Sequence, residues 1–210
     1  MTRVYLLRHG ETKWNIEKVF RGRSEIPLTD TGKKQAELAA AHLKPKAIQY
    51  IYTSPLSRAK ETADIVGKIL DIKPVVDEHF TGLAFGPWQG KPHKEIKEKF
   101  PDLYRVYKDE FHNLRLEGAE TLQKAFDRCM TALVDIEKKH PDANVLIISH
   151  RVICKLMILG ILGLGPPQFY RVKLDTCGLS EFYTNEGRWV LAKFNDTCFL
   201  GDSERVRGDI

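Results

Sequence analysis

The residues with the clearest chemical potential stand near the start of the chain, where the apolar run Val4–Leu7 ends in Arg8, His9 and Gly10. A guanidinium group offers a planar pair of donors to phosphate oxygens, and glycine lets the backbone approach an anion closely. An imidazole can act as a nucleophile, a base or an electrostatic partner. Together at the end of a strand, these residue types indicate a site that handles a phosphate group.

Two further residues of the same types follow apolar segments elsewhere. Arg58 stands on the first turn of a predicted helix that follows a predicted strand, and the buried run Val145–Ile148 leads into His150. Ligands of open α/β sheets bind at the carboxyl ends of the strands. A lone arginine or histidine is more often a surface or core-edge residue. Because these two occupy corresponding strand ends, we expect them to meet Arg8 and His9 in one pocket.

Such a pocket would be suited to phosphoryl transfer. An imidazole nucleophile must be neutral, and neighbouring guanidinium charges lower its pKa and favour that form. Charge spreads over the equatorial oxygens during phosphoryl transfer, so a ring of positive donors stabilises the transition state. Water or a second substrate hydroxyl would then take the phosphoryl group from His9. The sequence shows no convincing metal-ligand spacing, and we expect neither a metal ion nor a cofactor.

Strand-like and helix-like segments alternate along the chain, which predicts an α/β fold, a three-layer α/β/α sandwich with a mostly parallel central sheet. The predicted strands cover residues 3–7, 48–53, 143–149, 179–183 and 188–194, with a hairpin turn between the last two. The predicted helices cover residues 31–43, 56–70, about 120–139 and 151–162. We interpret residues 1–210 as a single domain with a cap-like insertion at about 77–140 that covers one edge of the sheet.

Composition narrows the possible partners. The chain has 33 basic and 28 acidic residues, a formal net charge of +5 that favours anionic ligands. The basic residues form no stripe interleaved with aromatic residues, so nucleic-acid binding is not expected. No apolar stretch approaches the ~20 residues of a membrane-spanning helix, and no secretory signal is visible. With four widely spaced cysteines, expected to be reduced and buried, these features predict a cytoplasmic protein that does not bind a membrane.

A series of short motifs carries a family resemblance. In chain order the matching segments are Arg8-His9-Gly10-Glu11-Thr12 with Trp14-Asn15, Arg21-Gly22, Pro27-Leu28-Thr29, Gly32 with Gln35-Ala36, Ser54-Pro55-Leu56 with Arg58-Ala59 and Glu61-Thr62-Ala63, Gly86 with Trp88 and Gly90, Gly118 with Glu120-Thr121, and Ser149-His150. Any one of these is weak, but the ordered series is specific. The chain resembles the histidine phosphatase superfamily, the phosphoglycerate-mutase-like enzymes, over nearly its whole length.

The resemblance implies roles for individual residues. His9 would attack phosphorus and carry a transient phosphohistidine. The groups expected around the phosphoryl oxygens are Arg8, Arg58 and His150. The positions expected to line the phosphate or substrate pocket are Asn15, Arg21, Gly22 and Glu120.

Three positions depart from the family pattern. Relatives that cleave alkyl phosphates usually carry a glutamate, the proton donor to the leaving oxygen, four residues before the first glycine of their Gly-x-Trp-x-Gly segment, where this chain has Gly82. The possible substitutes are Asp77, Glu78, His79, His93 and Glu120, and a chain without any acid is the remaining alternative. The family often has glycine after the second histidine, where this chain has Arg151. Lys155 stands where relatives often carry arginine.

The leading hypothesis is a metal-independent phosphatase that hydrolyses small phosphorylated metabolites of the phosphoserine or phosphoglycerate type through a phosphohistidine on His9. A phosphoglycerate mutase is one alternative. A weakly active or regulatory subunit that lacks the usual acid at Gly82 is another. The expected partner is a small anionic phosphorylated substrate. A homodimer, or a heterodimer with a related chain, stays open, since the apolar tail Thr197–Leu200 could form an interface or pack on its own domain.

Overall fold

The computed structural model describes residues 1–205 and contains a mixed sheet of six strands. The strands are β1 (Arg3–Arg8), β2 (Tyr50–Thr53), β3 (Val75–Val76), β4 (Asn144–Ser149), β5 (Leu179–Asn185) and β6 (Arg188–Asp196). Their spatial order is β3-β2-β4-β1-β5-β6. The strands from β1 to β4 are parallel, whereas β5 runs antiparallel to both β1 and β6. The predicted mostly parallel sheet is confirmed, and the two-residue β3 is an addition that its sequence did not reveal.

The central strands β1 and β4 read as continuous apolar runs because both faces of the sheet are covered. The helices are α1 (Lys13–Ile16), α2 (Asp30–Leu43), α3 (Ser57–Leu70), α4 (His93–Lys99), α5 (Pro101–Asp109), α6 (Leu122–Lys139) and α7 (Arg151–Ile161). Shorter 3-10 turns cover 44–46, 78–80, 86–88, 111–113 and 166–171. The starts of α2 and α6 follow from threonine N-caps, since the hydroxyls of Thr29 and Thr121 accept backbone N–H bonds from the first helical turn.

Alternate side chains of each central strand enter two separate cores. Tyr5 and Leu7 pack with α2 and α3 on one face of the sheet. Val4 and Leu6 pack on the other face with α6 and α7. These layers confirm the predicted α/β/α sandwich.

The segment at about 77–140 packs on a face of the sheet rather than over an edge, which corrects the expected placement. Its side chains Phe80, Trp88 and Tyr107 are buried in the same core as Leu6 and the residues of α7. The cause is the aromatic content of the segment, because aromatic side chains bury large apolar areas. α6 therefore belongs to the helical layer, and the shorter helices α4 and α5 lie beside the site described below.

The apolar segment Thr197–Leu200 packs on its own domain. Leu200 is buried with the residues of α2, and the ring of Phe199 stacks on His42 with centroids 4.9 Å apart. Among the residues that the structure describes, no cysteine forms a disulfide; three cysteines are buried, but Cys198 is exposed, unlike the expectation. No helix within residues 1–205 combines the length and the apolar character needed to cross a bilayer.

Candidate active site

The parallel register of β1 and β4 brings two histidines together. Arg8, the last residue of β1, is the register partner of Ser149, the last residue of β4. The next residue of each strand is therefore a neighbour of the other, and the rings of His9 and His150 lie with centroids 5.3 Å apart. Both side chains are buried. The expected convergence of strand ends thus follows directly from the pairing of these two strands.

The hydrogen bond of His9 determines its tautomer. Nδ1 lies 2.7 Å from the carbonyl oxygen of Gly10. Since a carbonyl can only accept, Nδ1 donates the proton and Nε2 keeps its lone pair in the neutral ring. Burial holds the pKa of His9 well below its usual value, and the charges of Arg58, Arg8 and Arg21 lower that pKa further. The ring is therefore neutral and nucleophilic at Nε2.

Arg58 reaches the same place from the third strand end. β2 pairs with β4, and α3 begins four residues after β2 ends, so its first turn lies beside the two histidines. The buried guanidinium donates from Nη1 to Ser24 at 2.9 Å and from Nη2 to Gly22 at 2.8 Å, in both cases to the carbonyl oxygen. Burial, with a smaller contribution from Arg21, lowers the pKa of Arg58 to about 9. Arg58 is thus held in place by backbone oxygens.

Gly22 forms part of the same support. Its φ of +53° lies in the left-handed region that favours glycine. A Cβ at this position would lie 2.2 Å from Oε1 of Gln89, so the Gln89 side chain would have to move, whereas the backbone conformation cannot change without moving the carbonyl. The carbonyl that holds Arg58 therefore depends on glycine at this position.

Five of the predicted residues border one cavity: His9, Arg58 and His150, together with Arg21 and Gly22. Arg8 is not among the residues that border it; its side chain is fully buried, and Nη1 donates to the Leu174 carbonyl at 2.8 Å.

Two buried nitrogen atoms at this site make no hydrogen bond within residues 1–205, Nε of Arg58 and Nδ1 of His150. Buried polar atoms of folded proteins are generally paired. The Nε–H of a guanidinium and an imidazole nitrogen are groups that bind phosphate oxygens. The cavity therefore presents buried nitrogen groups suited to an oxyanion.

Two residues that the family resemblance placed in the pocket lie elsewhere, and their binding roles stay predictions. Asn15 does not line the cavity; its Oδ1 accepts hydrogen bonds from the backbone N–H and the hydroxyl of Thr12, at 2.9 and 2.7 Å. It thereby fastens the loop after His9. Glu120 also lies outside the lining and pairs with Arg128 at 2.7 Å and with Arg23 at 3.3 Å.

Gly82 lines the cavity, but a side chain has little room there. A Cβ would lie 2.9 Å from the carbonyl oxygen of Gly22 and 3.3 Å from Nη2 of Arg58. The first distance is shorter than side chains tolerate against backbone. The position that lacks the glutamate therefore lies where the backbones of two loops are too close together to leave room for a side chain.

Of the five residues considered as substitutes for the missing acid, His93 borders the cavity. Its ring stacks on Phe20 with centroids 3.8 Å apart. Glu78 is exposed, and the exposed His79 is bonded to Asp77 at 2.8 Å. Glu120 is held by arginines, as described above. Position alone therefore favours His93 among these candidates.

Two residues that had no predicted role, Ser54 and Tyr107, matter at the site, as does Arg151, which was noted above as a departure from the family pattern. The Ser54 hydroxyl lies 2.7 Å from Nε2 of His150 and fixes that ring. Tyr107 and Arg151 border the cavity. For Ser54 a signal was present, since it directly follows β2. Tyr107 lies on a distant helix, and nothing in its local sequence marks it.

The potential metal ligands of the described chain gather away from this cavity. His42, Asp196 and Cys198 place one ligand atom each within 4.8 Å of one another. Asp196 and Cys198 stand at the end of β6 and His42 at the end of α2, and none of the three lines the cavity. The group contributes nothing to the phosphate site.

Comparison with known proteins agrees with this geometry. The model of the histidine phosphatase superfamily (branch 1) matches residues 4–197. The chain belongs to the histidine phosphatase superfamily. The resemblance inferred from the ordered motifs is thereby confirmed.

Similar members of the histidine phosphatase superfamily include both sequences and solved structures. Phosphoserine phosphatase 1 of Hydrogenobacter thermophilus is 30% identical, over 96% of each chain. A phosphoserine phosphatase mutant from Entamoeba histolytica, solved with phosphoserine, has a TM-score of 0.84 and 29% identity, covering 95% of this chain and 100% of that one. Bacillus stearothermophilus YhfR has a TM-score of 0.90 and 28% identity, covering 95% and 99%. The chain is a phosphatase of this superfamily.

Proposed function

We propose that this phosphatase hydrolyses small phosphorylated metabolites of the phosphoserine or phosphoglycerate type through a phosphohistidine on His9. The observation that carries the proposal is the convergence of a neutral His9 with Arg58 and His150 around one cavity, where Nε of Arg58 and Nδ1 of His150 make no hydrogen bond within residues 1–205. Arg8 directly precedes His9 in the chain, and its charge lowers the pKa of that ring. The similarity to two phosphoserine phosphatases supports the substrate class.

The proposed reaction has two steps. Nε2 of His9 attacks phosphorus, an N–P bond forms, and the P–O bond to the leaving group breaks. Arg8, Arg58 and His150 bind the equatorial oxygens, where negative charge is spread in the transition state. Water then attacks the phosphohistidine, releases inorganic phosphate and restores the neutral ring.

The leaving oxygen takes up one proton when an alkyl phosphate is cleaved. General acid catalysis contributes about 10²–10⁴-fold for such groups. Within this proposal His93 supplies the proton, since it borders the cavity. An activated donor such as an acyl phosphate needs no acid, because its leaving group is already a weak base.

The test combines turnover with detection of the intermediate. Purified protein is given phosphoserine, phosphoglycerate and acetyl phosphate, and phosphate release is followed with His9→Ala and His9→Gln as variants. We expect release by the wild type, loss of at least about 10³-fold in both variants, and an acid-labile, alkali-stable phosphoryl label on His9 after a rapid quench. Equal turnover in His9→Gln would overturn the proposal.

The same experiment separates the alternatives. A phosphoglycerate mutase would isomerise phosphoglycerate, with a bisphosphorylated cofactor, faster than it releases phosphate. A regulatory subunit without an effective acid would bind phosphate but turn over no alkyl ester. Release from acetyl phosphate alone would indicate a site restricted to activated donors.

A further inference from the structure

A second cavity opens beside the phosphate site. It has a volume of about 250 Å³ and lies between α5, α7 and the turn at 166–171. Its walls carry the rings of Tyr107, Phe169 and Tyr170 and the cationic side chains of Lys108, Arg151 and Lys155. No carboxylate is among the described residues that line it. The cavity therefore combines aromatic walls with positive charge.

Lys155 is the most unusual member of this group. Its side chain lies on α7, and only 6% of the residue is exposed. The ammonium lies 3.9 Å from the ring centroid of Phe169 and 5.4 Å from that of Tyr170, and it makes no hydrogen bond or ion pair within residues 1–205. A buried ammonium generally has an anionic or hydrogen-bonding partner. The aromatic faces supply part of that stabilisation, but no acceptor.

The charges around Lys155 are of one sign. Burial, and after it the charges of Arg151, Arg8 and Lys108 in that order, together lower the pKa of Lys155 to about 7. Another lysine on the wall, Lys173, is exposed and pairs with Asp175 at 3.2 Å. A bound anion would relieve the repulsion at Lys155 and keep its ammonium charged.

The second cavity adjoins the cavity at His9. Arg151 and Tyr107 border both cavities, and Arg151 directly follows His150 in the chain. A substrate whose phosphoryl group lies at His9 would extend its leaving group past Tyr107 toward Lys155. Arg151, at the position where relatives of this family often carry glycine, would then face both ends of the ligand.

We propose that this second cavity binds an anionic group, such as a carboxylate, at the far end of an apolar or aromatic leaving group, with Lys155 as its principal contact. The inference rests on the proposed function for the placement of the phosphoryl group. It deepens that function, because among the small phosphorylated metabolites proposed above Lys155 and Arg151 favour those whose leaving group ends in an anion. The preferred substrates are therefore phosphate monoesters with two anionic ends.

Non-hydrolysable ligands test the inference without depending on turnover. The probes are benzylphosphonates with a para-carboxymethyl or para-carboxypropyl substituent, each matched to its uncharged carboxamide. Dissociation constants are measured by calorimetry at a pH of about 6, below the pKa of Lys155, so that its amine is protonated. In the wild type we expect at least one carboxylate to bind about 10-fold or more tightly than its amide, as for a hydrogen bond between charged groups.

Variants test whether Lys155 causes the preference for the carboxylate over the carboxamide. Lys155→Met keeps the length and apolar character of the side chain, and we expect it to bring the carboxylate-to-amide ratio close to one. Lys155→Arg should retain most of the ratio. Lys68→Met, an exposed position on α3 in the opposite helical layer, is the control and should leave it unchanged. Thermal unfolding verifies that each variant is folded, and Lys108→Met, on the rim, provides a second charge deletion.

The possible outcomes distinguish a failure of the second anion site from a failure of the proposed hydrolysis. No preference for either carboxylate in the wild type, or a preference that survives in Lys155→Met, overturns the second anion site. If Lys155→Met does not fold, a lack of preference in the wild type, or a preference that is lost in the charge-conserving Lys155→Arg, has the same force. A clear preference in binding, combined with no phosphate release from any ester, would instead contradict the proposed hydrolysis and leave the second site intact.

Discussion

The glutamate that relatives carry at the position of Gly82 could be absent because the acid was lost or because the backbone leaves no room for a side chain. If the position had simply lost its acid, a restored side chain would recover the function. The backbone there instead approaches Gly22 so closely that a Cβ would lie 2.9 Å from its carbonyl oxygen, the same oxygen that holds Arg58. Any side chain at residue 82 therefore displaces a support of the phosphate site.

We accordingly expect both Gly82→Ala and Gly82→Glu to lower kcat/KM by about 10-fold or more, for alkyl and aryl phosphates alike, because a misplaced Arg58 stabilises the transition state less well. Steady-state kinetics with phosphoserine and para-nitrophenyl phosphate measures this. Gly165→Ala is the matched control, since a Cβ there meets no atom closer than 3.7 Å. Faster phosphoserine turnover in Gly82→Glu would refute the steric explanation.

His93 is expected to act on the leaving group alone. His93→Gln should lower kcat for phosphoserine by about 10²-fold and change kcat for para-nitrophenyl phosphate little, because nitrophenolate needs no proton to depart. The comparison variant is His79→Gln, whose exposed ring bonds to Asp77. Equal losses on both substrates would mean that His93 acts only by packing on Phe20.

At the scale of elements, α6 holds the loop that contributes Gly82. Arg128 on this helix donates to the carbonyl oxygens of His79 and Thr81 and to both carboxylate oxygens of Glu120. Both side chains of the pair are mostly buried, with 17% and 12% exposed. This arrangement gives Glu120 a structural task next to the site.

Arg128→Met should therefore lower the free energy of unfolding by about 2 kcal/mol, since it leaves partly buried acceptors without a charged donor. Urea unfolding measures the change, and a double-mutant cycle with Glu120→Gln isolates the pair. Lys124→Met, on the exposed side of the same helix, should have little effect. If the two substitutions at Arg128 and Glu120 prove additive, the two side chains have no interaction energy with each other, which would contradict the assigned ion pair.

At the scale of the whole molecule, folding buries two histidines that stay neutral. The pKa values of His9 and His150 are held well below 6.5, chiefly by burial and then by Arg58. Above pH 6.5 both the folded and the unfolded chain carry these rings neutral. Below it the unfolded chain takes up protons that the folded chain excludes, so acid favours unfolding. His42 and His140, whose pKa values are also lowered by burial, act in the same direction.

We therefore expect the free energy of unfolding to fall as the pH drops below about 6.5, with the two buried histidines contributing at most about 2.7 kcal/mol per pH unit. Urea unfolding at several pH values gives the slope. His150→Gln should make it shallower. Added inorganic phosphate should oppose the loss, since an anion at the site stabilises the protonated rings. A stability that does not change with pH in this window would contradict the assigned protonation states.

Local sequence patterns were sufficient to predict the central strands of the sheet. The segments that form β1 and β4 are continuously apolar, as expected of strands that are buried on both faces of a sheet. The polar residues that directly follow these strands therefore indicated where the site lies. Such patterns were insufficient at about 77–140. There the aromatic residues could pack on an edge or on a face with the same local sequence, and only the folded structure shows that they are buried in one core with Leu6 and the residues of α7.

The sequence by itself determined the α/β fold, the family and the group formed by His9, Arg8, Arg58 and His150. These follow from apolar periodicity and from residues adjacent to strand ends, which are local in the chain. Only the tertiary structure decided that Gly82 has no room for a side chain, that Glu120 pairs with Arg128, and that a cationic aromatic cavity adjoins the phosphate site. The reason is physical: close approaches, burial and charge pairing between distant segments depend on packing, which no short stretch of sequence encodes.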